Sequence, residues 1–237
     1  LLSRNLSADL KCGMLTCLLG TNGVGKSTLL RTLAGFQPAM NGEVELFGKP
    51  LKEYSPYELA RKVGVVLTEK LPIANLKAHE LVAMGRLPYT GFWGGLNEDD
   101  LRIADKALDM VGMTAFANRR LSTLSDGELQ KLMIAKALAQ ETPVILLDEP
   151  VAFLDFPSKV EILGLLRKLA REEQKAVLLS IHDLELALQT ADYLWIMEAD
   201  GKLVQGEPHE MAKQGNLDFF FSTSGLTFSH ETLQYSL

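Results

Sequence analysis

Cysteine is scarce in this chain: two in 237 residues, Cys12 and Cys17. That excludes a disulfide-stapled scaffold, and reduced thiols packed as small apolar groups point to the cytoplasm. No run of about 18 apolar residues is present, so no segment spans a bilayer as a helix and any membrane association goes through a partner. An excess of positive charge is missing as well. A net charge of −6 argues against broad, nonspecific nucleic-acid binding and leaves open only a local basic groove. Internal repeats, low-complexity tracts and a signal peptide are absent from the sequence, and none of the nineteen residues ahead of Gly20 is aromatic. The chain opens Leu1-Leu2-Ser3 without methionine, from which we expect its true N-terminus to lie upstream.

With 47% hydrophobic residues, the chain can bury a sizeable core as one α/β domain, or as a core carrying a smaller subdomain. Val63-Gly64-Val65-Val66-Leu67, Val144–Leu147 and Val177–Leu179 are apolar runs of strand length and read as buried parallel strands. Helical patterns lie between them. Ser55-Pro56-Tyr57-Glu58 combines a capping box with proline at the first helical position, and Asn97 caps a helix that runs toward Val111. Pro157 opens another that runs to about Gln174, with Val160, Leu163 and Leu166 or Leu169 on its inner side. This alternation predicts a mainly parallel sheet covered on both faces. From about Lys70 to Thr123 the rhythm changes to helical patterns and the turn-rich Pro88–Gly95, with no strand run, which predicts a helical subdomain inserted into the sheet domain.

The densest chemical signal is Gly20-Thr21-Asn22-Gly23-Val24-Gly25-Lys26-Ser27-Thr28, a G-x-x-x-x-G-K-[ST] pattern directly after the apolar Leu15–Leu19. A loop between a buried strand and a helix turns successive N–H groups toward one point, and the helix N-terminus adds about half a positive charge there. Residues Thr21 to Thr28 are thus expected to cradle a nucleotide's phosphates, with Lys26 on the β- and γ-phosphates and the Ser27 hydroxyl on Mg²⁺. A second constellation ends the run Val144–Leu147. Asp148 and Glu149 fall at the carboxyl end of a strand, where parallel sheets gather ligands. Asp148 is positioned to hold Mg²⁺ directly or through water, and Glu149 to accept a proton from the attacking water. His182, after Val177–Ser180, should reach the same edge and touch the γ-phosphate or that water.

Leu124-Ser125-Asp126-Gly127-Glu128 opens a helical stretch, Leu129 to Ala139, with a capping box whose N-terminus is itself an anion site. It also resembles the LSGGQ signature of ATP-binding cassette ATPases, with Asp126 and Glu128 in place of the usual glycine and glutamine. Val151-Ala152-Phe153-Leu154-Asp155 is similar to that family's D-loop, and Ile181-His182-Asp183 to its switch histidine. The resemblance covers nearly the whole chain. It implies a P-loop NTPase α/β core with a mainly parallel sheet, an N-terminal antiparallel β portion and an inserted helical subdomain. The expected division is a RecA-like core at 1–69 and 140–210, a helical subdomain with the signature at 70–139 and a C-terminal tail at 211–237.

The mechanism implied is a head-to-tail homodimer around two ATP–Mg²⁺, formed in the ATP-bound state. Loop 20–28, Asp148, Glu149 and His182 come from one chain; Ser125, Asp126, Gly127, Glu128 and Asp155 come from the other. The chain would work at the cytoplasmic face of the inner membrane, held there by integral-membrane permease subunits and served indirectly by a substrate-binding protein, with no nucleic acid involved. Gly85-Arg86-Leu87-Pro88-Tyr89 and Leu184–Leu188 look like the ATPases of importers for iron–siderophore complexes, haem or cobalamin. Two alternatives are a soluble family member acting in translation or DNA repair, and a nucleotide-gated module that does not turn over. Three finer expectations follow from the resemblance. The adenine-stacking aromatic is missing ahead of Gly20. Thr68 replaces the usual glutamine after the strand at 63–67, so it should serve Mg²⁺ through water while Glu69 faces the permease. Tyr89, Phe92 and Trp93 border a groove for a short permease helix.

Overall fold

The computed structural model describes residues 6–67, 75–91 and 95–217, together with the backbone of 227–229 and 234–236. Thr68 and Glu69, Phe92 and Trp93, and most of the tail at 211–237 lie outside the described residues. In chain order come β1 (Leu15–Gly20), α1 (Lys26–Leu33), β2 (Glu45–Leu46), β3 (Lys49–Pro50), α2 (Pro56–Ala60) and β4 (Val63–Val66). Next are α3 (Ala78–Ala83), a 3-10 stretch at Met84–Tyr89, α4 (Glu98–Met110) and α5 (Asp126–Ala139). The chain then runs through β5 (Val144–Leu147), α6 (Phe156–Glu172), β6 (Ala176–Ser180), α7 (Leu184–Thr190), β7 (Tyr193–Met197), β8 (Leu203–Gly206) and α8 (Pro208–Lys213).

Six strands form one sheet in the order β4-β5-β6-β1-β7-β8. The first five run parallel, and β8 returns antiparallel to β7. The central strands β1, β5 and β6 are buried on both faces, and their alternation sorts side chains into two cores. Leu15, Cys17, Leu19, Ile145, Leu147, Val177 and Leu179 face a core shared with α5, α6 and α7. Leu18, Leu146, Leu178 and Trp195 face a second core closed by Leu30 and Ala34 of α1. Cys17 is a free, buried thiol, and its desolvation pushes its pKa up to about 12, consistent with a packing role.

The antiparallel portion expected near the N-terminus is, among the described residues, the hairpin β2–β3, turned by Phe47 and Gly48 at φ 52 and 73. Both anticipated caps are present. Ser55 and Glu58 close a capping box on α2 with Pro56 at its start, and Asn97 caps α4. The interval between β4 and β5 holds α3, α4 and α5, which pack on one another. One helix face departs from expectation. In α6 the buried residues are Ile162, Leu163, Leu166, Leu169 and Ala170, whereas Val160 is 45% exposed. At roughly 100° per residue, Val160 lies about 120° from the centre of that stripe, so a turn of the helix carries it out of the core.

Candidate nucleotide site

The loop after β1 owes its shape to its glycines. Gly20, Gly23 and Gly25 have φ of 148, 79 and 112. A Cβ at Gly20 would stand 2.7 Å from the Met197 carbonyl oxygen, and Gly25 caps α1 in the left-handed region. Lys26 and Ser27 therefore occupy the first two positions of α1, at the positive end of its dipole. Lys26 is only 6% exposed, and its ammonium donates to the Gly20 and Thr21 carbonyls at 2.8 and 3.2 Å. Desolvation lowers its pKa, while the charges of Glu149 and Asp148 oppose that shift. The cation thus sits within the field of both carboxylates.

Asp148 is 3% exposed at the end of β5, where its N–H donates to the Val66 carbonyl at 2.8 Å. The register Leu147↔Leu179 sets it beside Ser180, the last residue of β6. Ser180 is fully buried, and its hydroxyl donates to Asp148 Oδ1 at 2.7 Å while accepting from the Glu149 N–H at 2.8 Å. Glu149 has φ 50, a left-handed conformation that costs a non-glycine residue on the order of 1 kcal/mol and that this hydrogen bond helps hold. Its Oε1 meets His182 Nε2, the two side chains being 27% and 43% exposed. Lys26, Asp148, Glu149 and His182 are thereby one cluster.

Ser180 escaped the sequence reading. The only signal is a hydroxyl ending an apolar strand, and it acquires meaning once the strand register is known. Ser180→Ala leaves the Glu149 amide and one Asp148 oxygen without this partner, which should cost about 1–3 kcal/mol. We expect a lower thermal midpoint together with about tenfold slower ATP hydrolysis. Wild-type turnover in that variant would show that the bridge does not position the pair.

A second cluster forms elsewhere. Ser125 caps α5, accepting from the Glu128 N–H, and Glu128 Oε2 accepts from the Ser125 N–H and hydroxyl at 2.7 and 2.9 Å. Glu128 is thereby folded back onto the cap. Asp126 is exposed. A Cβ at Gly127 would lie 3.1 Å from the Phe153 carbonyl, so the signature turn rests on the segment that leads into α6. Asp155 caps α6 by accepting from the Ser158 N–H at 3.1 Å, and hydrogen bonds from Ser158 hold its pKa low. Lys131 acts electrostatically on both Glu128 and Asp155, whereas the carboxylates acting on Lys26 are Glu149 and Asp148. The structure thus groups the candidate residues as two clusters.

Among the described residues, no group of three or more His, Cys, Asp or Glu side chains could cage a metal. One carboxylate and one hydroxyl, Asp148 and Ser27, nonetheless suit Mg²⁺, which keeps several waters and takes its remaining oxygens from substrate phosphates.

A glycine-shaped phosphate loop, a strand-end acid pair and a parallel sheet define a P-loop nucleotide hydrolase. The family model for ABC transporters matches residues 3–152, and this chain belongs to that family as an ATP-binding subunit, a class that hydrolyses ATP. It is 37% identical to the ferric enterobactin transport ATP-binding protein FepC of Escherichia coli, over 88% of this chain and 77% of FepC. It is 36% identical to the iron(3+)-hydroxamate import ATP-binding protein FhuC of Bacillus subtilis, over 87% of this chain and 77% of FhuC. Among solved structures, the dimeric post-hydrolysis cassette MJ0796 bound to ADP and Pi superposes with TM-score 0.78 at 28% identity, covering 87% of this chain and 90% of that one.

Proposed function

We propose that this chain powers import of a metal-chelate cargo, in the class of iron–siderophore, haem or cobalamin. Two copies close head to tail on two nucleotides. The carrying observation is the grouping of these residues: Lys26, Asp148, Glu149 and His182 in one cluster, Ser125, Gly127 and Asp155 in another, which we read as the two halves of a shared site. In this reading Thr21 to Thr28 hold the phosphates of ATP, and Lys26 transfers its hydrogen bonds from loop carbonyls to phosphate oxygens. Glu149 takes the proton of the attacking water, and His182 orients Glu149 and the γ-phosphate. Ser27 and Asp148, with Thr68 through water, would hold Mg²⁺, which when bound supplies charge neutralisation on the phosphates. The partner copy's signature turn, Ser125 to Glu128, and Asp155 close the other side. ATP favours the paired state, and hydrolysis removes that bias.

The named roles of FepC and FhuC support the cargo class. In this reading permease subunits hold the chain at the cytoplasmic face and a binding protein delivers cargo; no helix among the described residues is long and apolar enough to cross a membrane. The division we favour is 1–69 and 140–210 as core, 70–139 as helical subdomain and 211–237 as tail. A cavity of about 720 Å³ between α1, the hairpin, α2 and α5 suits a short permease helix; Phe36, Tyr54, Leu59 and Lys136 are among its walls. Phe36 is 60% exposed there, and the half-buried Tyr89 ring lies against Arg86 and Arg61.

Uptake of radiolabelled ferric siderophore, haem and cobalamin by a deletion strain tests the cargo reading, with loss of one uptake expected. Unchanged uptake of all three, with the chain recovered on ribosomes or DNA, would favour the soluble alternative. For the cavity, Phe36→Glu should lower co-purification with the permease at least tenfold without shifting the thermal midpoint. Retained co-purification would place the contact elsewhere.

A further inference from the structure

The Gly85-Arg86-Leu87-Pro88-Tyr89 segment has no place in the nucleotide chemistry, yet it is tied to one spot. Arg86 is 6% exposed and reaches three groups. Its Nε donates to Asp100 Oδ1 at 3.0 Å, and its Nη1 donates to the Ala139 carbonyl at 2.8 Å and to Glu141 Oε2 at 2.9 Å. The guanidinium lies 4.1 Å from the centre of the Tyr89 ring, and the Tyr89 hydroxyl donates to the Gln140 carbonyl at 2.8 Å. Ala139 and Gln140 end α5, where carbonyls have no partner within the helix. One turn of a neighbouring element therefore caps α5, and it does so with a cation at the negative end of the dipole. Gly85 permits the approach, since a Cβ there would stand 2.3 Å from the Lys136 carbonyl.

The same spot is fastened to the sheet. The Gln140 side chain donates to the Ala60 and Val63 carbonyls. Arg61, which ends α2, donates to the Pro88 carbonyl at 2.7 Å and stacks 5.2 Å from the Tyr89 ring. Beyond this elbow, Glu141 turns at φ 51 into β5 and so into Asp148 and Glu149. At its other end α5 carries Ser125. Fourteen residues make a lever of ~21 Å, so a tilt of about 10° at the capped end would carry Ser125 by roughly 3–4 Å, more than a hydrogen bond tolerates.

We propose that Arg86 and Tyr89 are positioning residues for the reaction: by capping the C-terminal end of α5 from outside, they set where the signature turn at Ser125 meets the nucleotide held by a second copy. The proposal rests on the paired-site reading above. It places Arg86 in contact with neither ATP nor the reacting atoms, so its loss should spare nucleotide binding by a single chain and impair pairing.

The test uses the full chain in a Glu149→Gln background with ATP and Mg²⁺, reading ATP affinity, thermal midpoint and the concentration at which half the chains are paired by analytical ultracentrifugation. Arg86→Lys keeps the charge and loses the three-way fork. We expect ATP affinity within about twofold of the parent and a half-pairing concentration raised at least tenfold. Tyr89→Phe removes one hydroxyl and should raise it at least threefold; it carries the test if Arg86→Lys does not fold. A role confined to stability would move affinity, midpoint and pairing together, and that result overturns the proposal. Ser125→Arg is the control for the reading beneath it. Pairing that survives Ser125→Arg contradicts the paired-site reading, whereas pairing lost in Ser125→Arg and unchanged in both elbow variants overturns the elbow alone.

Discussion

Glu149→Gln is expected to lower steady-state ATP hydrolysis by ~10²-fold or more while ATP still binds. The amide keeps the size of the side chain and its reach to His182, so the fold has little to lose. What disappears is the acceptor proposed for the proton of the attacking water. Glu149 is partly exposed at the carboxyl end of β5, and its backbone is fixed by the Ser180 hydroxyl, so the proposed proton acceptor is held in place before substrate arrives. A Michaelis–Menten analysis alongside equilibrium ATP titration separates the two effects. Hydrolysis within a fewfold of wild type would remove Glu149 from the role and shift attention to His182.

Lys26→Ala should act on binding itself. A buried ammonium donating to phosphate oxygens is worth about 1.5–3 kcal/mol, equivalent to roughly 10- to 100-fold in affinity. Lys26 is 6% exposed, and transfer to phosphate exchanges its hydrogen bonds to the Gly20 and Thr21 carbonyls for charge-assisted ones. Calorimetric titration with ATP and Mg²⁺ measures the loss. An unchanged dissociation constant would mean that the loop's N–H groups bind the phosphates without the cation.

The parts of this site that were legible in the sequence are those whose geometry is local. Gly20 to Thr28 spells a loop and a helix start in nine consecutive residues, and the caps at Ser55, Asn97 and Ser125 each need only four. Asp148 and Glu149 were legible because a strand end in a parallel sheet has one functional edge. Contacts that depend on register were not. Ser180 meets Asp148 because β5 and β6 are neighbours with Leu147 opposite Leu179. Arg86 caps α5 across 53 residues of chain, and nothing near Arg86 in the sequence announces that partner. Val160 was assigned to the core because a few apolar residues three apart leave a helix's phase loose; Ile162 and Ala170 rotate the stripe away from it.

Each working site, as proposed, joins the loop of one copy to the signature turn of another, an arrangement that subunit mixing checks. Lys26→Ala and Ser125→Arg chains should each be inactive alone, the first lacking functional loops and the second lacking functional signature turns. Only a pair with one chain of each kind has an intact site, one of two, so a one-to-one mixture should regain ATP hydrolysis, to at most about a quarter of wild type. Mixtures that stay inactive, although both chains fold and the Ser125→Arg chain binds ATP, would contradict the account.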